Sequence, residues 1–377
     1  MGSGTARLTV LHASHTGEGG VGKCVGDLVG DQVARGWDVV VASQPGSDAA
    51  RDAAGAGARV VPWVAVRNPT LRLAGETGRL RRIVSSTQPD LVHLHSSKAG
   101  LCGRLAIRGR LPTLFQPHGW SFEAADGALE RIVVGWERLG ARWADAIVCV
   151  SEAERTRGRA KGIRGPYRVI PNGVDVRRFT KVDDAERLEA RRRLGLGGAP
   201  LVVCVGRLSR AKGQDVLVDS WTAVRTAVPE AELALVGDGE DMEKLRRRAD
   251  ASIRLVGHRD DVVDWLAAGD VVAVPSRWEG MSLGMLEAMA TGRSLVVTDV
   301  PGAREAMKGA GAIVPPEDSK ALAAAIAVRL LDPAKRQSEG AAGAERARHN
   351  HDLRETLSRM ADLSEAVIRA RRGEHRE

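Results

Sequence analysis

Two glutamates eight residues apart, Glu279 and Glu287, frame the stretch of this chain best suited to chemistry: Trp278-Glu279-Gly280-Met281-Ser282-Leu283-Gly284-Met285-Leu286-Glu287-Ala288-Met289-Ala290. It directly follows an apolar run, residues 271–275, that reads as a strand. Gly280, Met281, Ser282 and Leu283 then form a loop entering a helix, whose first N–H groups lack intrahelical partners and favour a phosphate. Glu287 falls about one turn inside, where its carboxylate can accept hydrogen bonds from a vicinal diol such as ribose. Glu279 is left to address the other end of the same ligand. A second loop, Gly206-Arg207-Leu208-Ser209-Arg210-Ala211-Lys212-Gly213, brings Arg207 and Lys212 to the same sheet edge, two cations suited to neutralising a diphosphate. A third, Val236-Gly237-Asp238-Gly239-Glu240, again closes a strand.

The first half offers a different loop, Gly17-Glu18-Gly19-Gly20-Val21-Gly22-Lys23-Cys24, one residue away from the Walker A pattern of nucleotide hydrolases. Cys24 stands where that motif needs a hydroxyl for Mg²⁺, and a thiol is a poor ligand for so hard a cation. The alternative use needs only what glycines supply at Gly19 and Gly20: close backbone approach and free N–H groups at a helix start. No Asp-x-Asp occurs in the chain, so no metal site and no cofactor are expected, and cationic side chains must do the work at a phosphate.

These loops need a scaffold, and the chain alternates short β-branched runs with helix-like segments. The runs fall at residues 8–12, 38–42, 59–64, 91–95, 113–116 and 146–150, then again at 201–205, 232–236, 253–256, 271–275, 294–298 and 312–314. Ser151 and Glu154 make a capping box for the helix after the sixth run. With 377 residues, two domains are expected, each an α/β doubly wound sheet. The turn-forming Pro171-Asn172-Gly173 marks the hinge, giving domains 1–172 and 173–351 with a terminal helix near 352–377.

Residues 1–172 hold 23 Lys and Arg against 15 Asp and Glu, a net of +8, while residues 173–377 hold 33 of each. Nucleic acid is excluded as the partner: with three Phe, one Tyr and scattered basic residues, no recognition motif is present. The basic half instead points to an anionic membrane surface. In residues 127–144, Leu129, Ile132, Val133, Trp136, Gly140 and Trp143 repeat at helical spacing as a buried stripe, leaving Arg131, Arg138 and Arg142 outward. No run of 18 apolar residues exists, and the first residues show neither signal-peptide regions nor a complete myristoylation pattern, Ala6 replacing Ser or Thr, so a cytoplasmic location is expected. Cys24, Cys102, Cys149 and Cys204 are widely spaced and read as reduced thiols.

The order Gly-Arg-Leu-x5-Gly, Val-Gly-Asp-Gly, then Glu-x7-Glu with Glu-Ala-Met-Ala resembles glycosyltransferase family 4. The likeness extends from Gly19-Gly20 through His118-Gly119 and Pro171-Asn172-Gly173-Val174-Asp175 to Pro301-Gly302. It implies the GT-B architecture, two Rossmann-like domains facing across a cleft with the last helix returning to the first, and a retaining transfer from a nucleoside diphosphate sugar. By the same resemblance Arg207 and Lys212 bind the donor diphosphate, Glu287 the ribose and Glu279 the transferred sugar, with backbone N–H groups of residues 280–283 also serving the donor. Gly206 and Gly237 belong to the donor loops, and Gly19, Gly20 and Asn172 to the acceptor or phosphate side. His118, in Gln116-Pro117-His118-Gly119-Trp120, matches the family's first-domain histidine near the reacting carbon. Residues 93–100 and 118–122 look like those of bacterial polysaccharide-assembly members, which implies a saccharide or lipid-linked saccharide acceptor. A sugar-nucleotide epimerase of the same architecture, or a P-loop ATPase, stays open at this point.

Overall fold

The computed structural model describes residues 7–15, 19–66 and 71–374. The myristoylation pattern in residues 1–6 and the loop residues Gly17 and Glu18 lie outside that set. The chain divides into two compact units, one running up to Pro171 and resuming at Thr356, the other spanning Asn172–Glu355.

The first unit holds a seven-stranded sheet: β1 (Thr9–Ser14), β2 (Asp38–Ser43), β3 (Arg59–Pro62), β4 (Leu91–His95), β5 (Thr113–Gln116), β6 (Ala146–Cys149) and β7 (Tyr167–Val169). Their order is β3-β2-β1-β4-β5-β6-β7, all parallel, so the chain reverses direction across the sheet between β1 and β4. β7 escapes the sequence pattern because it is only three residues long, with one β-branched member. Both faces are covered. Leu11, Val40, Leu94 and Phe115 pack on one side, and Val10, Val39, Leu114 and Val148 on the other. Met360, Ala361 and Ile368, one face of helix Leu353–Arg372, complete that second core, and Arg371 binds Asp145 at 2.7 Å near the helix end.

The second unit repeats the plan with β8 (Leu201–Val205), β9 (Glu232–Val236), β10 (Ile253–Gly257), β11 (Val271–Val274), β12 (Ser294–Thr298) and β13 (Gly311–Val314) in the order β10-β9-β8-β11-β12-β13. Asn172, read from the sequence as the last residue of the first domain, is tied into this unit. Its amide donates to the Met281 carbonyl at 2.8 Å, and its own carbonyl meets His351 Nδ1 at 3.2 Å.

Helix Gly127–Gly140 corrects the predicted stripe. Its buried residues are Val134, Glu137 and Gly140, whereas Leu129 and Ile132 are 57% and 69% exposed and Val133, Trp136 and Trp143 are only partly covered. The cause is electrostatic. Arg104, fully buried over the Phe115 ring at 3.8 Å, pairs with Glu137 at 2.8 Å, and satisfying that ion pair turns the Glu137 side of the helix inward. A lone buried charge costs far more than a buried pair. We therefore expect Glu137→Leu to lower the stability of the first unit by about 3–5 kcal/mol, and the double variant Arg104→Met with Glu137→Leu to recover most of that loss. Urea unfolding followed by tryptophan fluorescence checks this, and equal midpoints for the single and double variants would contradict it.

Candidate active site

In open parallel sheets ligands settle beyond the carboxyl ends of the strands where the strand order reverses. In the second unit that place lies between β8 and β11, and the loops singled out from the sequence follow β8, β9 and β11. They converge because two glycines allow backbone to touch backbone. A Cβ on Gly237 would lie 2.1 Å from the Gly206 carbonyl oxygen, and one on Gly213 2.1 Å from that of Pro275. Both residues have positive φ, 143° and 67°, a second obstacle that a side chain would face and glycine does not. Hydrogen bonds close the arrangement: Leu208 N–H donates to Asp238 O at 2.8 Å and Arg277 N–H to Ala211 O at 2.8 Å.

This convergence sets Lys212 Nζ 2.8 Å from Glu279 Oε1, with the Ser276 hydroxyl on the same carboxylate. Arg207 stands 3.9 Å from Glu240. Arg277, which no sequence pattern singles out, is fully engaged by Asp215 and Glu317, and those hydrogen bonds hold its guanidinium even more firmly protonated than usual. It braces the β8 and β11 loops and is not left for a ligand.

Helix Leu283–Ala290 starts at the N-cap Ser282, whose side chain makes no cap hydrogen bond. The first intrahelical bond is Leu286 N–H to Ser282 O at 3.2 Å, so the N–H groups of Leu283, Gly284 and Met285 have no partner within the helix. Gly280, Met281 and Ser282 form the lead-in loop, steadied by the Asn172 amide on the Met281 carbonyl. Asn172 therefore acts on this loop, in the second unit. Glu287 is buried on the second turn of the helix.

In the first unit, Gly19 opens helix Gly19–Ala34 with φ 65°, and Gly20 follows inside it. A Walker loop would need its residues before the Gly-Lys pair to wrap a phosphate, yet from Gly19 onward they are helical. Lys23 is drawn to Asp27 at 3.3 Å one turn on. That geometry argues against the P-loop reading.

His118 follows β5 in the left-handed region, φ 55°, as does Ser96 after β4, φ 67°. Backbone strain of this kind in residues other than glycine gathers at functional sites. His118 also ends a buried row the sequence did not disclose as such. Register pairs His12 of β1 with His93 of β4, and the alternation His93-Leu94-His95 puts both β4 imidazoles on one face. His12 Nδ1 lies 3.0 Å from His95 Nε2, and His95 Nδ1 lies 3.1 Å from His118 Nε2. Burial lowers the pKa of His12 and of His118 to about 4 and that of His93 and His95 well below the ordinary value. His12, His93 and His95 place ring nitrogens within 4.8 Å of one another, close enough for one ion, but two of these nitrogens are already joined to each other. Beneath His118, Glu154 accepts hydrogen bonds from Gly119 N–H at 2.6 Å and Val150 N–H at 2.7 Å, and burial pushes its carboxyl up to about 7. Ser151 caps helix Glu152–Ala160, its side chain accepting from Glu154 N–H at 3.0 Å.

The family model described as Glycosyltransferase Family 4 matches residues 18–178, and that described as Glycosyl transferases group 1 matches residues 199–332. The chain is 33% identical over 352 residues to the GDP-mannose-dependent alpha-(1-6)-phosphatidylinositol monomannoside mannosyltransferase of Mycobacterium tuberculosis, covering 86% of this chain and 88% of that one. Its structure is similar to sucrose-phosphate synthase from Thermosynechococcus elongatus, with a TM-score of 0.83 at 24% identity over 97% of this chain and 100% of that one. It is similar also to HepE of Anabaena in complex with UDP-glucose, with a TM-score of 0.82 at 23% identity over 96% and 100%. These two structures show the fold: two Rossmann-like α/β units, the GT-B architecture.

The titrating groups of the first unit fix the sign of a pH effect. An imidazole whose folded pKa is depressed leaves the unfolded chain binding more protons between about 4 and 6.5, so stability falls as pH drops through that window. Glu154 acts the other way, because its folded carboxyl holds a proton up to about 7 that the unfolded chain releases near the ordinary carboxyl value. Glu123, which burial also raises, acts as Glu154 does, and four imidazoles outweigh these two carboxyls. Unfolding midpoints measured from pH 7.5 to 4.5 should decline most steeply below pH 6.5, and His12→Gln and His95→Gln should flatten the decline. Unaltered slopes in both variants would refute neutral burial of the row.

Proposed function

The chain belongs to glycosyltransferase family 4, and from that premise we propose that it is a retaining, metal-independent hexosyltransferase. It moves a sugar from a nucleoside diphosphate donor to a saccharide or lipid-linked saccharide. The donor domain is the second unit, Asn172–Glu355, and the acceptor domain is the first, which runs to Pro171 and resumes at Thr356. The observation that carries this reading is the Lys212–Glu279 pair at 2.8 Å beside the free N-terminus of helix Leu283–Ala290. Each partner is what one half of a sugar diphosphate needs. The anionic diphosphate takes Lys212, Arg207 and the helix N–H groups, and the sugar hydroxyls, as donors, take the freed carboxylate of Glu279.

As the anomeric carbon loses its bond to the diphosphate oxygen, charge grows on that oxygen, where Lys212, Arg207 and the helix terminus stabilise it. The same oxygen accepts the acceptor hydroxyl's proton while the new bond forms on the face the leaving group occupied, so the anomeric configuration is kept. By the family resemblance His118 is assigned to the transferred sugar and Glu287 to the ribose. With those cations on the phosphates, no cofactor or metal ion is required. GDP-mannose, the donor named for the mycobacterial relative, and UDP-glucose, the ligand of the Anabaena protein, are the donors to compare first.

Lys212→Ala and Arg207→Ala should each lower kcat by roughly 10² to 10³, the usual effect of losing one preorganised donor at a developing charge. Turnover should withstand EDTA, and product NMR should show the donor's anomeric configuration. An inverted product, or wild-type rates in both variants, would sink the mechanism.

The lipid-linked form of the acceptor draws support from helix Gly127–Gly140. It exposes Leu129, Ile132 and Leu139 beside the exposed Arg131 and Arg138, with Arg142 just beyond, in the basic part of the chain. Apolar side chains flanked by arginines are the make-up of a helix lying in a bilayer surface. Each arginine near an anionic surface contributes about 1 kcal/mol, so docking is reversible and sensitive to salt, and among the described residues no helix is long and apolar enough to cross a membrane. In vesicle sedimentation the protein should bind anionic but not neutral vesicles. Replacing the three arginines by Gln should abolish the preference for anionic lipid, and Leu129→Gln with Ile132→Gln should weaken binding at every salt concentration. Equal binding of all forms to both vesicle types would leave a free saccharide as the acceptor.

A further inference from the structure

The imidazoles of His12, His95 and His118 stand in a line. Ring centroids are 5.3 Å apart for His12 and His95 and 5.4 Å apart for His95 and His118, with interplanar angles of 14° and 27°. Rings so nearly coplanar at that spacing meet nitrogen to nitrogen, as the 3.0 and 3.1 Å separations require. The line continues inward to Gln32 of helix Gly19–Ala34, whose Oε1 lies 2.8 Å from His12 Nε2. His12 and His95 are fully buried and Gln32 is 1% exposed, whereas His118 is partly open to solvent.

A neutral imidazole carries one N–H and one lone pair, so each link in such a chain dictates the next. Gln32 presents an oxygen, which only accepts, so His12 donates from Nε2 and its Nδ1 accepts. His95 must then donate from Nε2 and accept at Nδ1, and His118 must donate from Nε2. The one nitrogen left, His118 Nδ1, bears a lone pair and makes no hydrogen bond to the protein among the described residues. We propose that Gln32, His12 and His95 are positioning residues that hold His118 as its Nε2–H tautomer, so that His118 Nδ1 accepts a hydrogen bond from a sugar hydroxyl. The tautomer assignment follows from Gln32 turning its oxygen, and not its amide nitrogen, toward His12, and its consequence for catalysis rests on the glycosyl-transfer reading.

The low pKa values of the row keep every link neutral near pH 7, as the chain requires. A neutral acceptor is also what a hydroxyl needs. An imidazolium there would present only donors and could accept no hydrogen bond from a hydroxyl.

The test separates structure from activity. In ¹⁵N-histidine-labelled protein without ligand, with His118→Gln used to assign the signal, two-bond ¹⁵N–¹H correlations at pH 7.5 should show His118 with its proton on Nε2. Gln32→Met keeps the side-chain length but removes the oxygen, so the row can run in either direction. His118 should then show both tautomers, and kcat should fall about tenfold with little change in donor KM. His95→Phe, which cuts the row beside His118, should do the same or more. A wild-type His118 protonated on Nδ1, or a single unchanged tautomer in Gln32→Met, overturns the proposal whether or not turnover changes. Absence of turnover with any donor would instead count against the glycosyl-transfer reading and leave the NMR result to decide the relay. Thermal unfolding of each variant identifies one that fails to fold, in which case the wild-type spectrum still decides between the two tautomers.

Discussion

Both sheets are parallel, so every strand connects to the next by a crossover that returns the chain to the same end, and the helices of these crossovers cover both faces. A strand covered on both sides tolerates little that is polar, which drives charge and hydrogen-bonding capacity to the strand ends. At the carboxyl ends beside each reversal of strand order the covering helices part, and the loops there are freed from packing duties. The placement of Lys212, Glu279 and the N-terminus of helix Leu283–Ala290 in one unit, and of Gly19, Ser96 and His118 in the other, follows from this constraint. Several charges buried around the sheets, outside the strands themselves, are paired. Arg104 is buried with Glu137, Lys98 with Glu76 at 2.6 Å, and Arg191 with Asp270 at 2.7 Å.

What can be read from the sequence is whatever is local. Among the described residues, β-branched runs locate twelve of the thirteen strands, because a buried parallel strand is mostly apolar, and β7 is lost because three residues carry too little pattern. The donor-side loops are legible through glycines, since a position where a Cβ would collide with the Gly206 or Pro275 carbonyl admits no other residue comfortably. What stays hidden depends on partners far apart in the chain. The rotation of helix Gly127–Gly140 is set by an arginine 33 residues away, and a hydrophobic count cannot anticipate that Glu137 is the buried face. The Walker-like spelling misleads for a related reason: spacing alone does not reveal that the helix begins at Gly19, before the Gly-Lys pair.

The row of histidines lies between these cases. His12, His93 and His95 fall inside strands that the sequence pattern locates, and alternation alone assigns His93 and His95 to one face. The register of β1 against β4, which brings His12 beside them, is a tertiary fact, as is the arrival of Gln32 from the helix after β1. A histidine in a buried strand is a local inconsistency, and such inconsistencies are where a fold departs from its own rules for the sake of a site.

The loops to which the proposed reading assigns the donor are electrically closed, and on that reading this shapes how a donor can enter. Lys212 faces Glu279, Arg207 faces Glu240, and Arg277 is held by Asp215 and Glu317. A diphosphate arriving at these loops therefore exchanges one anionic partner for another, so the net gain per cation is smaller than for an unpaired lysine or arginine. The exchange is selective, because a ligand that takes Lys212 leaves the Glu279 carboxylate, 11% exposed, with the Ser276 hydroxyl but no cation, unless the same ligand also brings hydroxyls to it. Inorganic diphosphate supplies the first half only. A sugar diphosphate supplies both, so on the proposed reading the closed pair would discriminate for the intact donor over its leaving group and favour release of the nucleotide once the sugar has gone.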